Sequence, residues 1–251
     1  MAGYPDNQQR GLAYISGLLI INDPDTGFPI AVMDCTWITA KRTGAASALS
    51  AKYLARPNSR TVGIVACGVQ GRSNLEALAC LFPLQSVKCY DLYPEVSERY
   101  AREMSAALGL DVQPVASLRE SVQGPDLVAT SGPILKNPQP SIEPGWLLPG
   151  AFASLVDFDS FWQGPALAQA DKLATDDLAQ MAYYRGEGYF RETPLPYADL
   201  GELANGQKPG RESDQERTIA INLGLALDDM ATAIRIYQRA RSLGIGLELP
   251  L

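Results

Sequence analysis

The sequence predicts an α/β fold with a doubly wound, mostly parallel sheet through its middle. Two observations carry this. Thr61–Ala66 is a short β-branched apolar run of the kind buried on both faces of a sheet. It leads into Cys67-Gly68-Val69-Gln70-Gly71 and then a helix over Arg72–Leu81, where Leu75, Leu78, Ala79 and Phe82 recur at helical spacing. The second observation is that another strand, Ser86–Tyr90, follows at once and ends on Asp91, 20 positions after Gly71. Strand, glycine turn, helix, strand and acid at this spacing are the fingerprint of a dinucleotide-binding Rossmann unit.

The chemistry needs these residue types. A helix N-terminus offers unpaired N–H groups and a positive dipole end to a pyrophosphate. Gly68 lets the backbone approach that anion, and Gly71 lets helix and strand pack closely. Val69 and Gln70 lie in the same turn. Ala66 stands where the fingerprint has its first glycine. Asp91 is placed to hold a ribose 2′-hydroxyl and would repel a 2′-phosphate, which points to NAD rather than NADP. Arg60 and Arg72 are the nearby cations that bear on this choice.

Composition narrows the class. The 251 residues suffice for one large domain or two small ones. The net charge of −7, without a basic run, argues against nucleic acid and anionic membrane as partners. No run approaches the roughly 20 apolar residues of a membrane span, and MAGYPDNQQRG lacks the apolar core of a signal peptide. Cys35, Cys67, Cys80 and Cys89 form no C-x-x-C pair and read as reduced thiols of a cytoplasmic protein. There is no histidine, so triad catalysis and most zinc sites are excluded and no metal site is expected. Proton transfer falls to Asp, Glu, Lys, Tyr, Cys or water.

Along the chain, Met1–Asn7 reads as a loop. Leu12–Asn22 and Pro29–Asp34 read as a hairpin around Asp23–Gly27. Thr39–Ala55 is an alanine-rich helix with Thr39 as its N-cap. Arg42, in its first turn, reads from spacing as a solvated charge or as a fork for a substrate carboxylate, the former being the plainer. Arg56–Ser59 is a linker. After Asp91 come a helix from Pro94 to Leu108 ended by Gly109, a strand Asp111–Val115, a helix Ser117–Val122 and a strand Asp126–Thr130. Thr130, Ser131 and Gly132 leave the carboxyl end of that strand, where doubly wound sheets hold ligands, although an ordinary turn reads equally well. Ala151–Val156 is a fifth strand, ending in Asp157-Phe158-Asp159-Ser160. Residues two apart on a strand share a face, so both carboxylates are placed to point together as an acid–base pair, with a helix cap as the plainer reading of Asp159 or Ser160. Lys172–Thr175 is the last strand expected. Thr218–Leu243 reads as one long helix, broken near Gly224, that returns to the hairpin.

Taken together, Asp23–Gly27 with Ala31–Asp34, Arg42–Ala48, the glycine turn through Gln70, Gly150–Asp159, and Pro209-Gly210-Arg211 with Glu216, Leu223-Gly224 and Asp228-Asp229 resemble the ornithine cyclodeaminase/μ-crystallin family over nearly the whole chain. The resemblance implies a Rossmann NAD-binding domain over residues 56–209. It also implies an α+β substrate and dimerisation domain from residues 1–55 and 210–251. It casts Asp159 as the general base, Arg42 as the substrate-carboxylate ligand and Thr43 as a cofactor contact. It further implies NAD as the cofactor, a small amino acid or imine as the substrate, and a homodimer as the assembly. The implied reaction is conversion of ornithine to proline and ammonia by way of an imine. Cyclic-imine reduction, alanine dehydrogenation and non-catalytic NAD(P)H binding are the alternatives. Three departures are visible: Ala66 for glycine, Ile221-Asn222 where several relatives have Lys-Ser, and a chain that begins inside the family's N-terminal domain, after an arginine and a lysine of the substrate site.

Overall fold

A computed structural model describes residues 2–250. The chain forms two compact units, Met1–Arg42 with Leu225–Leu251, and Thr43–Gly224.

The smaller unit opens with β1 (Ala2–Gly3), a 3₁₀ turn over Pro5–Arg10 and β2 (Ile15–Ser16), which pairs antiparallel with β1. Short structure thus replaces the expected N-terminal loop; Met1 of that loop lies outside the described residues. The expected hairpin is present but shorter: β3 (Leu18–Asn22) pairs antiparallel with β4 (Pro29–Asp34). Asp23 closes its turn, accepting from the N–H groups of Asp25 and Thr26 and from the Thr26 hydroxyl. Alternation gives the hairpin two different faces. Leu19, Ile21, Ala31 and Met33 pack with Ile38 and Ala233. On the other face Leu18, Ile20 and Val32 stay 69%, 56% and 63% exposed.

Helix α1 (Thr36–Leu54) starts three residues before the expected cap at Thr39. The cause is Asp34, whose carboxylate accepts from the Thr36 N–H and hydroxyl and from the Trp37 N–H. That satisfies the donors a helix start leaves open and places Thr39 inside the helix.

The larger unit runs β5 (Thr61–Val65), α2 (Val69–Ala79), β6 (Ser86–Tyr90), α3 (Pro94–Leu108), β7 (Asp111–Pro114), α4 (Leu118–Val122) and β8 (Leu127–Thr130). It continues with β9 (Phe152–Leu155), α5 (Gly164–Leu167), β10 (Lys172–Thr175), α6 (Leu178–Gly186), β11 (Ala198–Asp199), α7 (Leu200–Ala204) and β12 (Thr218–Ile221). The eight strands form one parallel sheet in the order β11-β10-β12-β9-β8-β5-β6-β7. Neighbouring residues of one strand feed opposite faces. Ile64 joins a cluster with Leu75, Leu78 and Tyr100, while Val65 joins one with Leu155, Trp162 and Phe190.

β12 corrects the sequence reading twice. Thr218–Leu243 is not one helix, and Lys172–Thr175 is not the last strand. Thr218–Ile221 is buried throughout and lies between β10 and β9, and only Ala226–Ser242 is helical, as α8 in the smaller unit. A four-residue apolar run that borders a helix carries too little periodicity to separate the two states. Arg211 fixes the approach to β12. Its guanidinium donates to the carbonyls of Leu54, Ser213, Glu216 and Ala151 and to the Thr218 hydroxyl. The Glu216 carboxylate closes this turn by accepting from the N–H groups of Glu212 and Ser213.

Candidate functional site

Strand order reverses between β5 and β8, and ligands of open α/β sheets bind outside the carboxyl ends of strands at such a switch point. The glycine turn leaves β5 there, and Thr130–Gly132 leaves β8.

In the turn, Ala66 takes φ +69°, the left-handed conformation for which the fingerprint uses glycine. Gly68 starts α2, and no side chain caps that end, so the first N–H groups remain available to an anion. A Cβ on Gly68 would meet nothing within 4 Å, whereas one on Gly71 would lie 2.4 Å from the Ala66 carbonyl oxygen. One glycine therefore leaves space outside the protein, and the other permits helix–strand contact. Gln70, in the first turn, buries an Oε1 that accepts no hydrogen bond from the described residues.

Asp91 organises this end. Its carboxylate accepts from the Cys67 N–H at 2.8 Å and from the Tyr93 N–H at 3.1 Å. It also lines a cleft of about 440 Å³ shared with Leu92, Pro94, Val115 and Ala116. Arg72, the cation that could have favoured a 2′-phosphate, is engaged elsewhere. It pairs with Glu103 and donates to the carbonyls of Cys67 and Gly68. An open glycine turn, an uncapped helix start and an acid beside a cleft fit the pyrophosphate and adenosine parts of NAD.

At the β8 end, Thr130 is fully buried. Its hydroxyl donates to Asp157 Oδ1 at 2.9 Å and accepts from the Trp162 indole. Ser131 donates through its hydroxyl to the carbonyls of Val65 and Ala66. The Gly132 N–H donates to Asp157 Oδ2 at 3.3 Å, and a Cβ on Gly132 would strike the Phe161 ring. The Thr130 and Ser131 side chains thus tie the crevice wall together, and the backbone is what this loop presents. Asp157 is the hub beneath it. Complete burial pushes its carboxyl up to about 7, with the neighbouring charge of Asp159 adding to the rise.

The two acids do not share partners, contrary to the strand-face expectation, because β9 ends at Leu155 and the chain turns. Asp159 Oδ2 accepts from the Phe190 N–H at 2.8 Å, and Oδ1 is buried without a hydrogen-bond partner among the described residues. Burial raises its carboxyl above the ordinary range. Neither Asp159 nor Ser160 caps a helix: α5 begins later, behind Gln163, and the Ser160 hydroxyl accepts from the Leu135 N–H. Phe158 and Phe190 both take left-handed backbone, φ +60° and +54°. Together with Ala66 they are the non-glycine residues with positive φ among the described residues. Each such residue costs about 1–2 kcal/mol. Strain of this kind concentrates where a side chain is aimed for function.

Arg42 and Thr43 fall on either side of the boundary between the compact units. In the smaller unit Arg42 is 8% exposed, donating from Nε to Asp229 at 3.0 Å and from Nη2 to Thr39. It is therefore a buried, ion-paired residue, not a solvated charge. Asp228, also within reach of its charge, has its carboxyl raised by burial. Two sets of contacts were not legible although their residues lie in the matching stretches or at the noted departure: the Arg211 latch and the chain Asn222–Ser154–Ser47, in which Asn222 donates to Ser154 at 2.9 Å and Ser154 to Ser47 at 2.8 Å.

Fold and site together define a Rossmann-type α/β protein with a dinucleotide crevice and a partly buried acid, Asp159, flanked by left-handed backbone at Phe158 and Phe190. The model of the ornithine cyclodeaminase/mu-crystallin family matches residues 1–244, and the chain belongs to that family. It is 35% identical to the alanine dehydrogenase of Archaeoglobus fulgidus over 261 residues, covering 98% of this chain and 77% of that protein. Among solved structures it is similar to the Thermococcus litoralis Δ1-pyrroline-2-carboxylate reductase in complex with NADH and L-proline. That likeness has a TM-score of 0.87 at 31% identity, over 98% of this chain and 78% of the other. An archaeal alanine dehydrogenase dimer with bound NAD matches with a TM-score of 0.87 at 32% identity, over 99% and 78% of the two chains. Among the described residues, no helix is long and apolar enough to cross a membrane.

Proposed function

We propose that the protein is an NAD-dependent oxidoreductase acting at the α-carbon of a small amino or imino acid, with Asp159 as its proton-transfer group. The observation that carries this is the Asp159 carboxylate: one oxygen bonded, the other buried and unbonded, set between two left-handed phenylalanines. NAD(H) supplies or takes up the hydride. Gly68, Val69 and Gln70 hold its pyrophosphate from the start of α2, Asp91 the adenosine ribose, and the backbone of Thr130, Ser131 and Gly132 the wall of the crevice; Thr43 is assigned to the cofactor as well. Asp159, poised by burial, removes a proton from the substrate nitrogen in one direction and returns it in the other. Arg42 is assigned to the substrate carboxylate.

Reversible redox chemistry between an amino acid and its imine is favoured over ornithine cyclodeamination by likeness to an alanine dehydrogenase and to a reductase holding L-proline. Cyclodeamination is the second reading, because it runs through the same imine chemistry on the same scaffold. The working form is a homodimer, with the apolar face of Leu18, Ile20 and Val32 as its contact, and light scattering after gel filtration checks it.

The test is product analysis with L-alanine, L-ornithine, and Δ1-pyrroline-2-carboxylate with NADH. Net NADH change with alanine or the imine supports the oxidoreductase, and proline plus ammonia from ornithine without net NADH change supports the second reading. Asp159→Asn is expected to lower turnover by about 10²–10⁴-fold. Full turnover by that variant contradicts the assignment.

A further inference from the structure

The surroundings of Asp159 in the larger unit carry one more step. The residue that reaches it is the backbone N–H of Phe190, in the loop after α6. That loop is held from its other end. Arg185, in the last turn of α6, donates from Nη2 to the carbonyls of Thr193 and Pro194, the latter at 2.7 Å. The Thr193 N–H in turn donates to the Phe190 carbonyl. The Phe158 ring packs against Tyr184, Tyr189 and Phe190 at centroid distances of 5.0, 5.4 and 5.0 Å, so the loop braces the residue before Asp159 as well. Three buried polar atoms of this cluster have no hydrogen-bond partner among the described residues: Asp159 Oδ1, Arg185 Nε and Thr193 Oγ1.

We propose that Arg185 is a positioning residue for Asp159: it clamps the Phe190–Pro194 segment that presents the Phe190 N–H, and it brings a positive charge to bear on the same carboxyl. The inference rests on the reading of Asp159 as the proton-transfer group. Two independent observations support it. The hydrogen-bonded path runs unbroken from Arg185 through Thr193 and Phe190 to Asp159. The charge acts directly too: Arg185 lowers the carboxyl while burial and Glu192 raise it. Glu192 and Asp157 are the other charged groups coupled to Asp159, the Tyr184 and Tyr189 rings pack on the neighbouring Phe158, and all four are the same in every variant below.

The test is a carboxyl ¹³C NMR titration of aspartate-labelled full-length protein, with the Asp159 resonance assigned by its loss in Asp159→Asn, together with hydrogen exchange at the Phe190 amide. Arg185→Gln removes the charge and is expected to raise the Asp159 midpoint by about one pH unit or more, with faster Phe190 exchange. Arg185→Lys keeps the charge but loses the planar fork. It is expected to leave the midpoint near wild type while Phe190 exchanges about tenfold faster. An unmoved midpoint in Arg185→Gln overturns the electrostatic half, and wild-type exchange in Arg185→Lys overturns the clamp. If the glutamine variant does not fold, the lysine variant still decides the clamp. Turnover of Asp159→Asn, measured separately, decides the underlying reading: undiminished turnover sinks that reading whatever the NMR shows, and lost turnover with an unmoved Arg185→Gln midpoint and wild-type Phe190 exchange in Arg185→Lys sinks only this inference.

Discussion

Gly68 and Gly71 belong to one turn, yet the structure gives them separable jobs, and alanine at each position should expose the difference. At Gly71 a methyl would sit 2.4 Å from the Ala66 carbonyl oxygen and 3.2 Å from Ile64 Cγ2. A backbone oxygen cannot swing aside, so α2 must move off the sheet. Overpacking of this kind costs about 1–3 kcal/mol, and for a domain of this size each kcal/mol lowers Tm by about 2–4 °C. Gly71→Ala should therefore melt about 2–12 °C below wild type. At Gly68 the methyl meets nothing, and φ is −78°, which alanine adopts freely. Loss of chain entropy in the unfolded state offsets the poorer helix cap, and Tm should stay within about 2 °C of wild type. That methyl does occupy the approach to the open N–H groups of α2. NADH affinity should fall about 10–100-fold, or about 1.4–2.8 kcal/mol. Calorimetric melting and NADH fluorescence titration on the two variants read both quantities. Wild-type NADH affinity in Gly68→Ala, or a wild-type melting point in Gly71→Ala, would refute the division of labour.

Two further expectations concern stability. Asp157 has a folded pKa of about 7 against an ordinary 3.8, so between those values the native state binds more protons than the unfolded chain and stability falls as pH rises. Tm should drop from pH 5 to pH 7.5 and level off above, and Asp157→Asn should flatten that slope; a pH series of melting curves checks it. Arg211→Lys leaves several of the five acceptors of the guanidinium unpaired, and urea unfolding should show a loss of about 3 kcal/mol or more.

Much of the fold is legible in the residues because its units are locally consistent. Thr61–Asp91 combines a β-branched run, glycine at the turn and a helical stripe, and each element formed within a few residues of its expected place. Gly109 ends α3 in left-handed backbone, φ +68°, as a C-terminal glycine should. Ala66 shows that a missing fingerprint glycine need not mean a missing conformation. β12 was hidden because its burial comes from neighbours remote in sequence, β9 and β10, and a four-residue run does not announce them. The partition of the two acids was hidden for a similar reason. Asp157 answers to Thr130 and Gly132, and Asp159 to Phe190, through contacts that exist only once the loops are folded. Arg185 carries no local pattern, since its partners are backbone carbonyls that any sequence provides, and the Pro209-Gly210-Arg211 stretch marks Arg211 without naming the carbonyls and the Thr218 hydroxyl it binds.

The preference of the crevice for NAD is assigned to Asp91. Its most direct test is paired fluorescence titration with NADH and NADPH on the wild-type protein and on Asp91→Ala. Wild type should bind NADH at least about tenfold tighter than NADPH, and Asp91→Ala should lose most of that preference. Equal or tighter binding of NADPH by the wild-type protein would contradict it.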